Sequence, residues 1–248
     1  MSAETQMVTF VEEVAADLYR HYGREVSRLR IMFPSRRAQL FFTDALSRLT
    51  DTPIWQPQFE TIDRLMTSIA GIEHGERVRL ITELYNVYRE FHKDEKFDKF
   101  YFWGEMLLND FDAIDKYMID ADMLFANISD IKQLESDLSY ITERQWEVIT
   151  RFWSVLNDDK DPSEHKRRFL KIWNTLCPVY HRFRERLREL GIGYGGMIQR
   201  EAVERIEAPD FELDDDGAQY VVAGFNALSK CEKRLFDYLA VNRTTDFY

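Results

Sequence analysis

The chain has 248 residues, of which 45% are hydrophobic and 14% aromatic, so it is not globally disordered and can bury one large core or two smaller ones. Its ten glycines and six prolines are few, which favours helices over turn-rich β architecture. A net charge of −11 argues against a uniformly DNA-coating surface, and no apolar run approaches the roughly 20 residues that cross a bilayer.

The first elements in chain order are a helix and a strand–turn–helix unit. Thr9–Tyr22 has helical apolar spacing and ends at Gly23. Leu29–Pro34 is an apolar strand of the kind usually buried in a parallel sheet, and Ser35 is the N-cap of the helix that follows. We expect that helix to use as its apolar positions Leu40, Phe41, Ala45, Leu46 and Leu49.

Arg36 and Arg37 occupy the first turn of that helix. Basic residues there oppose the helix dipole and cost about 0.3–1 kcal/mol each. The choice of these residues therefore indicates binding of a ligand or partner rather than stabilisation of the helix. The alternative is that both are solvated arginines at a surface turn.

The next segments are an edge strand and a long helical region. Pro53–Glu60 is extended but carries two prolines, which is typical of an edge. Thr61 caps a helix that ends at Gly71, and no strand is predicted between Gly75 and Ile206. The helices expected there are Arg77–His92, Phe97–Tyr117, short helices capped by Asp120 and Ser129, one from Thr142, one from Ser163 kinked at Pro178, and Met197–Ile206.

The chain ends with a second strand and helix. Gln219–Phe225 is apolar, a helix runs through Leu235 and Leu239, and Thr244–Tyr248 begins another extended segment. We predict a mainly helical α/β fold with a small, parallel, P-loop-NTPase-like sheet. Residues 1–75 and 207–248 form its core and 76–206 an all-helical insertion. Because the last strand is just beginning, we expect the chain to be part of a longer protein.

Charge is unevenly distributed. Residues 94–140 contain 12 acids and 4 bases, whereas residues 164–189 contain 8 bases and 3 acids. The basic segment, which includes Lys166, Arg167, Arg168 and Lys171, is either a polyanion-binding face or a solvated helix face. The aromatic residues of 97–117 favour core packing over stacking on single-stranded bases.

The chemistry of a nucleotide hydrolase is missing from the sequence. No glycine is followed by lysine, so there is no P-loop, and Ala223 stands where a Walker B carboxylate would end the second strand. We predict no ATP turnover and no cofactor. Residues 141–149 resemble an adenine-reading helicase motif, but a capped helix start is the better interpretation.

Metal-dependent and nucleophilic sites are also not predicted. Asp130–Lys132 and Asp158–Lys160 match half of a nuclease motif but lack flanking strands, and Asp214–Asp216 is expected to be a solvated acidic loop. No histidine pair has zinc spacing, and we find no Cys/His constellation. Met1–Thr9 is polar and not a signal peptide, so we expect a cytoplasmic protein with Cys177 and Cys231 reduced.

Four motifs together resemble a known family. They are Phe33–Arg37 followed by Phe41-Phe42, Phe100–Glu105, Leu108–Asp115, and Val222–Asn226. The chain resembles the N-terminal helicase-like part of AddB/RexB-like proteins, which are inactivated superfamily I helicases with a downstream PD-(D/E)xK nuclease domain. The resemblance covers essentially all 248 residues.

The resemblance implies a role in DNA double-strand-break repair and recombination beside an AddA-like helicase–nuclease subunit. It makes 33–37 similar to helicase motif Ia, so Arg36 and Arg37 would contact DNA phosphates, with weaker support from the basic segment. Ala223 would mark a degenerate Walker B strand, and 76–206 a 1B-like insertion. The chain stops before any nuclease domain, so we expect no catalysis from it. The alternative is a protein-interaction module whose acidic helical insertion docks a helicase partner, with no DNA contact.

Overall fold

The structure is a computed structural model that describes residues 8–126 and 162–248, with side chains in the second range from Thr175 onward. The chain forms two compact units: a sheet unit of Met1–Gly71 with Gln199–Tyr248, and a helical unit of Ile72–Ile198. The boundaries expected from sequence lay at 75 and 206. The observed boundaries follow Gly71 and Ile198. Arg205 Nη1 donates to the carbonyl of Ile69, 2.7 Å away, and this contact ties the stretch after Ile198 to the sheet unit.

The sheet unit contains four parallel strands in the order β2–β1–β5–β6. They are β1 (Leu29–Met32), β2 (Gln58–Glu60), β5 (Gln219–Val222) and β6 (Thr245–Phe247). The chain is thus a predominantly helical α/β protein with a small parallel sheet. The predicted edge position of the proline-flanked strand is confirmed, because β2 pairs only with β1 among the strands described.

The two central strands are the most buried. Register pairs Leu29 with Gln219 and Met32 with Val222, and Ile31 and Val221 are fully buried. Apolar side chains on both faces are what a short parallel strand covered by helices requires.

The helices of the sheet unit are α1 (Phe10–Tyr22), α2 (Arg36–Ser47), α3 (Ile62–Ala70) and α8 (Lys230–Asn242), with a 3₁₀ turn over Gly23–Arg28. The helices after Ser35 and Thr61 begin where the sequence places their caps. Thr9, Ser35 and Thr61 each accept a hydrogen bond from the third backbone N–H of their helix. The predicted inward face of α2 is partly wrong: Leu40 and Phe41 are 72% and 58% exposed, and Phe42 is buried instead.

The helical unit packs α4 (Arg77–Phe91), α5 (Phe97–Lys116), a helical stretch over 121–126, and α6 (Pro162–Glu189). Its core includes Tyr88, Phe100, Phe111, Tyr180 and Phe183. Core packing is therefore confirmed for Phe100 and Phe111 of the aromatic segment, whereas Phe102 and Tyr117 are 60% and 53% exposed.

A strand between Gly75 and Ile206, where none was expected, is the clearest miss in the fold. β3 (Glu73–His74) and β4 (Ile192–Gly193) form a two-stranded parallel ladder before α7 (Gly195–Ile206), which spans the boundary of the units. Two-residue strands are too short for any periodicity to predict. The glycine-rich turn at 191–196 does join two helices, as expected.

Some predicted features fall outside the described residues. They are the cap at Ser129, the helix from Thr142, the motif at 141–149 and the acidic pairs at 130–132 and 158–160. The long helix begins at Pro162, so Ser163 lies inside it and is not its cap.

The acidic loop before β5 is not simply solvated. Asp215 is buried, and it accepts hydrogen bonds from Arg243 Nε at 2.9 Å, the Tyr220 hydroxyl at 3.0 Å and the Gly217 N–H at 3.2 Å. Cys177 and Cys231 form no disulfide. Across the described residues, no helix combines the length and apolarity that a membrane span requires.

Candidate nucleic-acid interface

The candidate site lies at the carboxyl edge of the parallel sheet. From β1 the chain crosses through α2 to β2 on one side, and from β5 it crosses through α8 to β6 on the other. The carboxyl ends of β1 and β5 therefore flank the point where strand order reverses. In open parallel sheets this is the crevice in which ligands bind.

The turn after β1 leads directly into a basic helix start. Ser35 is extended, with φ −146° and ψ 149°, and its hydroxyl accepts a hydrogen bond from the Ala38 N–H at 3.3 Å. This cap satisfies one of the free N–H groups of the first turn, and the others still point along the helix axis. An anion at this position would meet backbone donors and a favourable dipole.

Arg36 and Arg37 extend from that first turn into solvent. Both are exposed, and the first turn contains no acidic residue. Neither arginine has a hydrogen-bond or ion-pair partner among the residues that the structure describes. Their charge is therefore available to an external anion, as the sequence predicts for phosphate contacts.

The turn after β5 approaches closely from the other side. Gly224 has a φ of +82°, which favours glycine, and its N–H donates to the carbonyl of Tyr248 at 3.2 Å. A methyl group added at Gly224 would lie 3.4 Å from the Phe10 ring and 3.8 Å from Pro34 Cδ. The start of α1, the Pro34 turn and the end of β5 thus meet at one edge of the sheet.

The central strands offer no carboxylate for a magnesium ion at this edge. Phe33 and Ala223, the residues that directly follow β1 and β5, are both buried and apolar. Ala223 donates its N–H to the carbonyl of Met32 at 3.0 Å, which extends the ladder by one residue. The carboxyl edge therefore presents backbone, a capped helix start and arginine side chains.

The basic segment of α6 behaves differently from the arginine pair of α2. Arg182 pairs with Glu185 at 3.1 Å and Arg186 pairs with Glu83 at 3.1 Å. Arg184 is buried beside Asp115 at 3.4 Å. Of the two alternatives left open for this segment, these three arginines do not form a free polyanion-binding face, since each lies beside a carboxylate. The side chains of Lys166, Arg167, Arg168 and Lys171 lie outside the described residues.

One cluster of potential metal ligands was missed by sequence reasoning. Asp122, Cys177 and His181 place one ligand atom each within 4.8 Å of one another. The sequence-based predictions considered histidine pairs with zinc spacing and a nucleophilic Cys/His arrangement, and they did not anticipate this cluster. The available signal was the four-residue separation of Cys177 and His181, which puts both on one face of α6. Asp122 is distant in sequence and gave no signal.

Hydrogen bonds to one carboxylate oxygen hold this cluster together. Asp122 Oδ1 lies 3.2 Å from Cys177 Sγ and 3.0 Å from His181 Nε2. Burial, followed by the hydrogen bond to Asp122, raises the pKa of the Cys177 thiol to about 12. The hydrogen bonds from Cys177 and His181 lower the pKa of Asp122.

Comparison with known proteins identifies no family for this chain. No family model matches the sequence, and no curated protein is significantly similar to it.

Proposed function

We propose that this chain is the helicase-like, ATPase-inactive region of an AddB-like protein and that it binds DNA through the carboxyl edge of its sheet. The single observation that carries the proposal is the pair Arg36 and Arg37. Both are exposed, without a partner among the described residues, and lie on the first turn of the helix that follows a central strand.

Binding of a phosphate would offset the helix destabilisation that the two arginines cause. Two arginines at a helix N-terminus destabilise the helix, because their positive charges lie at the positive end of the helix dipole. A phosphate placed between them and the backbone N–H groups is attracted by both, so the repulsion becomes a net attraction. Arginine also donates two parallel hydrogen bonds to a phosphate, which fixes a strand backbone in position. Such contacts position a strand without reading its sequence.

Two features support the proposed loss of nucleotide binding and hydrolysis. The sequence has no glycine followed by lysine, and Ala223 is buried where a magnesium-binding carboxylate would be needed. We therefore propose a P-loop-like sheet that serves as a scaffold in double-strand-break repair and recombination, in the cytoplasm, beside an AddA-like helicase–nuclease subunit. A magnesium-dependent ATPase assay of the purified chain should give only background turnover.

The decisive experiment is a DNA-binding titration of the full chain with labelled single-stranded and duplex oligonucleotides at several salt concentrations. The double variant Arg36→Ala/Arg37→Ala should lose about tenfold in affinity at low salt. Its slope of log K against log salt should fall by about 0.9 per lost contact on duplex DNA, or about 0.7 on single strands.

A matched control removes the same charge elsewhere. Arg182→Ala/Arg186→Ala also deletes two arginines, but these already pair with Glu185 and Glu83. Its affinity and salt slope should equal those of the unmodified chain. Equal loss in both double variants would mean that net charge alone drives binding, and no loss in either would remove the role of Arg36 and Arg37.

The alternative, a protein-interaction module, has its own supporting observation. On α5 the side chains of Phe102 and Met106, one turn apart, are 60% and 39% exposed beside the acidic residues of that helix. An apolar strip with an acidic surround suits a partner helix better than DNA. Capture of an AddA-like subunit that is abolished by Phe102→Ser, with no DNA binding at low salt, would favour this function over the first.

A further inference from the structure

The cluster of Asp122, Cys177 and His181 combines three different kinds of metal ligand in the helical unit. Cys177 and His181 lie one turn apart on α6, and Asp122 comes from the helical stretch over 121–126. A thiol, an imidazole and a carboxylate on two separate elements can converge on a single ion.

We propose that these three residues bind a zinc ion. Zinc accepts thiolate, imidazole and carboxylate ligands together, at about 2.3, 2.0–2.1 and 2.0–2.2 Å respectively. A tetrahedral ion with those bond lengths separates its ligand atoms by about 3.3–3.6 Å. The two distances from Asp122 Oδ1, 3.2 and 3.0 Å, need to open by only a few tenths of an ångström.

The ligand set selects against the hard cations. Magnesium and calcium take oxygen ligands almost exclusively, whereas a cysteine sulfur with one histidine nitrogen favours zinc among the abundant divalent ions. The four-residue separation on a helix is also the spacing at which two side chains of one helix share an ion.

The site is accessible to an ion from solvent. The Asp122 and His181 side chains are 73% and 50% exposed, while Cys177 is half-buried beneath them. Three protein ligands leave a fourth position, which water fills in open zinc sites. The ion would fasten the 121–126 stretch to α6, and this role does not depend on DNA binding at the sheet unit.

A cobalt titration of the full chain under reducing conditions tests the site directly. Tetrahedral Co²⁺ gives visible absorption bands, and a bound thiolate adds a charge-transfer band in the near ultraviolet. The chain has only two cysteines, so that band must come from Cys177 or Cys231. We expect both signals, and we expect Zn²⁺ to displace Co²⁺ and abolish them.

Matched variants identify the ligands. Cys177→Ala should abolish the charge-transfer band and His181→Gln should weaken Zn²⁺ binding at least about tenfold. Cys231→Ala should leave both intact. His21→Gln removes a histidine that faces Asp17 one turn away on α1 but belongs to no cluster of three ligands among the described residues, and it should also have no effect.

A measurement on the unmodified chain guards against variants that misfold. Zn²⁺ should slow alkylation of Cys177, identified by peptide mapping, while alkylation of Cys231 under the same conditions stays unchanged. Absence of a charge-transfer band, unaltered alkylation of Cys177, or undiminished Zn²⁺ affinity in folded Cys177→Ala would each overturn the proposal.

Discussion

The arginines of α2 and those of α6 show how differently the same side chain is used in two regions. On α6, Arg182 and Arg186 are held by Glu185 and Glu83. On α2, Arg36 and Arg37 meet no carboxylate among the described residues. Arg182, Arg184 and Arg186 of α6 are thus paired within the fold. The charge that remains available lies on α2, which carries two arginines against one acid.

The physical reason is what each helix packs against. α6 lies against α4, whose Glu83 and Glu90 approach the arginines of α6 across the contact. α2 begins at a Pro-Ser turn that projects from the end of a strand, and its first turn holds no acid. Five variants would break or sharpen this comparison.

The largest effect is expected where an arginine of α6 is paired in the interior. Asp115 is fully buried and accepts hydrogen bonds from the hydroxyls of Tyr180 and Tyr194, both at 2.5 Å, with Arg184 nearby. Asp115→Ala would leave the buried Arg184 without its carboxylate and should lower the free energy of unfolding by about 3–5 kcal/mol. Urea unfolding followed by circular dichroism measures this.

Tyr194→Phe provides the graded control for that substitution. It removes one hydrogen bond to the same carboxylate and should cost about 1.5–3 kcal/mol. If Asp115→Ala were no more destabilising than Tyr194→Phe, the arginines of α6 would not depend on their partners and the comparison would fail.

The second effect concerns the paired arginine of the sheet unit. Burial opposes ionisation of Asp215, but hydrogen bonds from Arg243, Tyr220 and the Gly217 N–H outweigh it, and the net pKa of Asp215 is lowered. The stabilisation is therefore complete above the unfolded-state pKa near 4 and is lost as the pH falls through the lowered value. Arg243→Ala should cost about 1.5–3 kcal/mol at pH 7.

The same variant should also change the acid dependence of stability. Without Arg243 the pKa of Asp215 should rise, because burial is then opposed only by the hydrogen bonds from Tyr220 and the Gly217 N–H, so acid removes less stabilisation there. Unfolding free energies of both proteins at pH 7, 4 and 3 should therefore converge toward low pH. A constant difference across that range would contradict the assigned partnership.

The third effect has the opposite sign. Replacing both arginines of the first turn of α2 by Arg36→Glu/Arg37→Glu should raise the free energy of unfolding by about 1 kcal/mol, because acids complement the helix dipole there. The same variant should lose DNA affinity more completely than the alanine pair. Thermal unfolding at low salt measures the gain; a loss of stability would show that the arginines make contacts within the fold.

The smallest effect is expected on the surface of α6. The Arg182 and Arg186 side chains are 37% and 39% exposed, and solvent screens their pairs. Arg182→Ala/Arg186→Ala should change the free energy of unfolding by only about 0–1 kcal/mol. A much larger change would mean that these pairs, and not only Arg184, organise the helical unit.

Local features were predicted well because they depend on neighbouring residues. The caps at Ser35 and Thr61, the end of α3 at Gly71 and the strands around Ile31 and Val221 all follow from patterns a few residues long. The two-residue ladder of β3 and β4 was missed because its stability depends on a partner more than a hundred residues away.

The sequence by itself determined the starts of α2 and α3 and the presence of the two central strands, and that the strand ends carry Arg36, Arg37 and Ala223 and no P-loop. Only the tertiary structure decided which arginines are neutralised, that Asp215 is buried, that Leu40 faces outward, and that Asp122 reaches Cys177 and His181. The reason is that caps and periodicity act within one turn, whereas ion pairing, burial and ligand clusters depend on which distant segments meet.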